Sequence, residues 1–274
     1  MTIYQILKKM LGLVALTAAL WLVYLYGRLL SSPALILVWI TTSALLGLGL
    51  WQRAKTRRRV WLAAYLRSES SAFRLLRGGF LMAVVQVAVA SVMALYLLLT
   101  ILRLETYPQW LALLGAALVL PVVAALISRL LQAQVVPVFR EELSLRLALN
   151  LLAGALLLYL VWLAFGGQYP DFRDASLEQA VWYAVSNEQS RSPFLQTLLE
   201  MAAVFDGLQA WLAQRLLPTP GTSVWQAAGW CVVLAREALF VWSYLLLCSG
   251  ALALPQLFTA SAPTGKSEDL HALL

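Results

Sequence analysis

The side chains with the most chemical potential in this sequence are ionisable groups lying in or beside apolar runs. Arg236 and Glu237 interrupt the run GWCVVLAREALFVW. An ionised group at membrane depth costs about 2.5–3.5 kcal/mol to insert, and such groups mark a pairing or a polar path. Successive helical positions point about 100° apart, so Glu237 is a poor partner for Arg236. Glu200 and Asp206, in the preceding segment, are the better anions, and the four residues form a candidate intramembrane polar site. The alternative is a helix that starts outside the bilayer. It would leave Arg236 and Glu237 at the interface and Ala238 to Leu254 as a minimal span.

A second acidic group is Glu141-Glu142-Leu143-Ser144-Leu145-Arg146. Its EExxxR pattern resembles the first motif of the CAAX-protease and bacteriocin-processing family of membrane enzymes. That resemblance covers six residues. It implies a hydrolase in which Glu141 and Glu142, with histidines from other helices, activate water within the membrane. The one histidine of the sequence is His271, near the end of the chain. Without the resemblance, Glu141 and Glu142 are acids favoured by the dipole at a helix start. Cys231 and Cys248 lie in one predicted helix at a separation of about 25 Å, beyond disulfide reach. The sequence carries no clustered metal ligands, glycine-rich phosphate loop or GxSxG elbow, so no metal or cofactor is expected.

The elements that must position these groups follow from composition. Of the 274 residues, 62% are hydrophobic and 12% charged, against about 25% charged in soluble domains. Apolar runs near 20 residues recur, and in lipid such runs must be helices, because only a helix satisfies its own backbone. We expect an all-α, polytopic helical membrane protein with about six transmembrane helices and an amphipathic helical outer cap between the fifth and sixth. The spans are expected at about Leu11–Leu30, Pro33–Trp51, Phe80–Leu102, Gln109–Leu131, Leu147–Phe165 and Trp225–Leu254, with Pro121 kinking the fourth. Residues 1–165 then form a membrane domain of five spans, 166–224 an extracytoplasmic segment, 225–254 the last span and 255–274 a flexible tail. Ser43 and Gly47 have the spacing of a close helix contact.

Gln52 to Gly79 is read as a basic loop. It holds eight basic residues against Glu69, a net of +7 that equals the charge of the whole chain. Loops rich in Lys and Arg stay cytoplasmic, so the amino terminus is placed inside a cell (inner) membrane. Val60–Leu66 in this loop carries Trp61 and Tyr65 at helical spacing. Arg57, Arg58, Arg59, Trp61, Arg67 and Arg74 are candidate docking residues for anionic lipids at the cytoplasmic face or for another protein subunit. Membrane topology accounts for the basic excess, and no nucleic-acid motif accompanies it.

The segment from Gly166 to Gln226 is the long polar stretch. Ser176 and Gln179 have capping-box spacing, and Ser192-Pro193 starts a second helix that should stop near Pro218. In that helix Phe194, Leu198, Met201, Phe205, Leu208 and Leu212 form an apolar stripe. Gln196, Glu200, Ala203, Gly207, Ala210 and Gln214 form a polar and small one. The helix could lie on the membrane, dip into it or span it. By exclusion, the expectation is a non-catalytic integral membrane subunit of a larger transport or secretion complex. The alternatives are a permease or channel in its own right and, third, the hydrolase that the EExxxR pattern implies.

Overall fold

The computed structural model describes residues 3–65, 80–104, 106–166, 172, 175–216 and 224–260. Their regular structure is entirely helical. The helices are α1 (Ile3–Tyr26), α2 (Ser32–Tyr65), α3 (Phe80–Leu102), α4 (Tyr107–Leu130), α5 (Pro137–Gly166), α6 (Leu177–Ser186), α7 (Pro193–Leu216) and α8 (Val224–Ala260). Six of them are long and apolar enough to cross a membrane, at Tyr4–Leu29, Ser32–Trp51, Met82–Leu102, Tyr107–Ala133, Phe139–Leu163 and Leu234–Leu254. This is the architecture of a helical membrane protein, with a short helical hairpin, α6–α7, between the fifth and sixth such helices.

Several boundaries differ from the sequence reading. Helix α1 begins at Ile3 and takes in Lys8 and Lys9. Helix α2 does not end at Trp51 but runs to Tyr65, so the first part of the basic segment is a helical extension rather than a loop. Neither proline nor glycine stands between Gln52 and Tyr65, and Arg, Lys, Ala and Leu all favour helix. Helix α5 starts at Pro137, so Glu141 to Arg146 lie near its start, ahead of the span expected from Leu147. Helix α8 continues to Ala260. Helix α4 carries Pro121 without a break. The side chains of Arg57, Arg58, Arg59 and Trp61 lie outside the described residues, as do Arg67 and Arg74 altogether.

The apolar residues divide as a membrane bundle requires. Leu46, Leu97, Leu113, Leu149, Phe240 and Leu245 are buried between the helices. Leu37, Val87, Leu111 and Leu158 are exposed on the outside, so the spans are apolar on both faces. Two hydroxyls of the interior find partners within the bundle. The buried Tyr244 hydroxyl donates to the Leu113 carbonyl at 2.8 Å and shares a 3.1 Å hydrogen bond with Thr17. Trp21, Tyr24 and Trp110 pack as an aromatic group, with Trp21 edge-on to Trp110 at 4.8 Å between centroids. Helices α2 and α8 cross with their backbones close together. A Cβ on Gly250 would lie 1.9 Å from the Leu45 carbonyl oxygen, and one on Gly49 would lie 2.8 Å from the Ser249 hydroxyl. Small residues admit this approach of two backbones. Gly47, by contrast, only reaches van der Waals distance of Ala90.

Candidate functional site: a chain of ion pairs under the hairpin

One end of the bundle is formed by the turn between α1 and α2, the end of α3 and the first part of the sixth span. Each supplies an arginine: Arg28 from a single 3₁₀ turn at Gly27–Leu29, Arg103 just past α3, and Arg236 on α8. The hairpin supplies two carboxylates to meet them. Glu188 comes from the link between its helices and Asp206 from α7.

The hairpin is held in place locally by signals the sequence displays. The Ser176 hydroxyl accepts from the Gln179 N–H at 3.2 Å, and the Gln179 side chain accepts from the Ser176 N–H at 2.9 Å, closing the capping box that starts α6. Ser192 caps α7, with its hydroxyl accepting from the Leu195 N–H at 3.4 Å. Gly207 brings the two helices into backbone contact, since a Cβ there would lie 2.9 Å from the Ala180 carbonyl oxygen.

The five charges alternate in sign along one chain. Arg28 lies 3.0 Å from Glu188, and Arg103 donates to the other oxygen of Glu188 at 2.6 Å. Arg103 also pairs with Asp206, which pairs in turn with Arg236 at 2.6 Å. Backbone and amide contacts extend the chain. Arg28 donates to the Leu102 carbonyl at 3.3 Å, and the Arg28 carbonyl accepts from the Arg191 N–H at 3.0 Å. Arg236 donates to Gln209 at 3.3 Å, and the Arg236 carbonyl accepts from the Tyr96 hydroxyl at 2.9 Å. The Ser32 and Ser192 hydroxyls meet at 2.8 Å. Glu188 keeps only 7% of its side chain exposed, and the arginines keep between 17% and 35%. A carboxylate buried so far is tolerable when it is paired and hydrogen-bonded, and it is costly when a partner is lost.

Of the four residues expected to form a polar site, the structure brings two together, Arg236 and Asp206. Glu200 stands six residues before Asp206 on α7 and accepts from the Gln196 amide at 2.6 Å. Glu237 takes no part in the chain. Three members of the chain were not among the sequence candidates: Arg28, Arg103 and Glu188. A signal for them existed. Arg28 and Arg103 flank apolar runs on the side poor in basic residues, where an isolated arginine is best explained by a fixed anionic partner.

The EExxxR group sits differently. Arg146 pairs with Glu142 one turn away on the same helix and donates to the Arg53 carbonyl of α2 at 3.4 Å. Glu141 is exposed. The two glutamates therefore do not converge, and His271 lies outside the described residues. Cys231 and Cys248 are free. Among the described residues no group of three or more His, Cys, Asp and Glu could hold a metal ion.

Comparison with protein-family models finds no match, and comparisons with curated proteins and with solved structures find none either. The chemistry open to the site is thus read from its geometry. Each of its two carboxylates is shared between two guanidiniums. The arrangement is suited to locking the hairpin onto three separate spans.

Proposed function

We propose that the protein is a non-catalytic integral membrane subunit of a larger transport or secretion complex. It lies in the cell (inner) membrane with its amino terminus cytoplasmic and the α6–α7 hairpin as an outer cap. The observation that carries this reading is the extension of α2. The span ends at Trp51 and the helix at Tyr65, so about 20 Å of helix continues beyond the apolar segment. The sequence of this arm contains Arg53, Lys55, Arg57, Arg58 and Arg59. A helical basic arm at the end away from the cap is a handle for an acidic cytoplasmic partner, and it also rests well against anionic lipid headgroups. The permease reading has less support, because Arg236 and Asp206 are engaged with each other and with Gln209 and Arg103.

Native mass spectrometry of the assembly extracted from its own membrane tests the proposal. The wild-type chain should carry at least one further subunit. Replacing Arg57, Arg58 and Arg59 by Gln should release that subunit while leaving insertion intact, since other basic residues keep the inside bias. A wild-type chain that is extracted alone and conducts solute in vesicles would overturn it in favour of a permease.

A further inference from the structure

Helix α7 is amphipathic in the sense opposite to that of a helix lying on a soluble protein. Its polar and small stripe faces inward: Ala203 and Gly207 are buried, and Glu200 and Asp206 are partly so. Several polar groups on this inward side of α7 are engaged by the protein. Gln196 donates to Glu200 and to the Glu188 carbonyl at 3.0 Å, Asp206 meets two arginines, and Gln209 accepts from Arg236. The outward flank carries Phe194, Met201, Val204 and Phe205, between 41% and 67% exposed. Thr197, the polar residue among them, donates its hydroxyl to the Pro193 carbonyl at 3.1 Å. This is how a hydroxyl is accommodated in hydrocarbon. A helix in contact with water places its apolar stripe toward the protein instead.

The depth of α7 agrees with that pattern. Leu195 and Leu199 pack against Leu102, with Val23, Leu35 and Leu99 around them. Leu198 lines an apolar groove together with Trp39 and Leu95. Each of those two residues is seven positions inside its span, about 10 Å below the span's end. The groove is also lined by Phe194 and by Ile36, which is itself 41% exposed. The outward flank of α7 is therefore continuous with the exposed apolar face of α2 at Ile36, Leu37 and Ile40. On α6 the exposed surface mixes Trp182 and Tyr183 with Glu178, Gln179 and Ser186, the composition found at headgroup level.

We propose that α7 is immersed in the leaflet at the capped end. Phe194, Met201, Val204 and Phe205 contact lipid acyl chains there, and α6 lies at the headgroup boundary. The ion-pair chain supports the immersion by pairing Asp206 with two arginines, while Glu200 accepts from the Gln196 amide on the same inward side. The placement holds for either orientation of the chain in the membrane.

Spin labelling tests it on the full-length protein in vesicles of phosphatidylcholine and phosphatidylglycerol. In a Cys231→Ser, Cys248→Ala background, Met201→Cys and Phe205→Cys are made separately, so that a folding failure at one leaves the other. Leu37→Cys serves as the lipid control and Glu178→Cys as the water control. Labels at 201 and 205 should match Leu37, with oxygen broadening retained and broadening by a water-soluble nickel chelate lost. Broadening by the nickel chelate as at Glu178 would place α7 in water and overturn the proposal. Protection from both reagents would show the flank covered by protein, from a second copy or another subunit, and would overturn it equally.

Discussion

At the capped end of the bundle, Arg28, Glu188, Arg103, Asp206 and Arg236 join four separate parts of the chain by ion pairs between residues far apart in sequence. At the opposite end, the pair between Glu142 and Arg146 lies within one helix, four residues apart. The exposures differ in the same direction. Glu188 is almost fully enclosed, whereas Glu142 and Arg146 each keep 32% of the side chain exposed. The first arrangement closes tertiary structure and the second decorates a helix. One end thus holds three arginines and two carboxylates in mutual contact. The other keeps Lys8 and Arg129 exposed and carries the basic arm. A subunit anchored by the first end and addressed through the second would divide its charges in this way.

The comparison is broken most directly at Glu188. Glu188→Ala leaves Arg28 and Arg103 without the carboxylate they share, and removal of one partner from a buried pair costs about 3 kcal/mol or more. A clear fall in the detergent unfolding midpoint is expected, together with earlier proteolysis between α6 and α7. Glu188→Gln keeps the shape and an acceptor for Arg103 and should fall between the variant and the wild type. A loss no greater than that of a surface pair would mean that the capped end is not held by its charges.

Asp206 and Arg236 sharpen the comparison further. Both are a quarter to a third exposed, so solvent screens the pair and its coupling should be about 1 kcal/mol. Asp206→Ala should cost more than Arg236→Ala, because Asp206 also serves Arg103, whereas Arg236 retains Gln209 as an alternative acceptor. The double variant should be less destabilised than the sum of the singles, as read from urea or thermal unfolding. Strict additivity would show that Arg236 acts through Gln209 rather than through the carboxylate.

The spans were legible in the sequence because length and apolarity suffice to define them. The two hairpin starts were legible because Ser176-x-x-Gln179 and Ser192-Pro193 are local signals. The pairing of Arg236 with an acid of the hairpin was also within reach, since a charge at the edge of a span needs a partner. Its choice of Asp206 over Glu200 was not. Both lie on α7, and only the angle at which that helix crosses the bundle selects between them. Arg28 and Glu188 are 160 residues apart, and no local pattern links them. The extension of α2 was missed for a different reason. A dense run of arginines reads as a topology signal, and that hides the fact that arginine is also a good helix former. The contact of Gly49 with Gly250 was passed over for Ser43 and Gly47, because small-residue spacing identifies a surface able to approach another but not the surface it meets.

The smallest effect is expected at Glu142, where it separates three readings of the EExxxR group. Its pair with Arg146 spans one turn of α5 and is partly exposed. Pairs of that kind contribute about 0.3–0.5 kcal/mol. Arg146 has a second role, since it donates across to the Arg53 carbonyl and ties α5 to α2 at the root of the basic arm. Glu142→Ala leaves that contact in place, whereas Arg146→Ala removes both. Thermal unfolding should therefore show Glu142→Ala close to wild type and Arg146→Ala measurably lower. Partner retention in the native assembly should follow the same order, because only the second change loosens the base of the arm. Equal and small losses would reduce the group to an ordinary surface pair without influence on the arm. Should Glu142→Ala fold normally and yet abolish function in the cell as completely as Glu141→Ala does, the carboxylates themselves would be the working groups. The hydrolase that their spacing resembles would then displace the subunit reading.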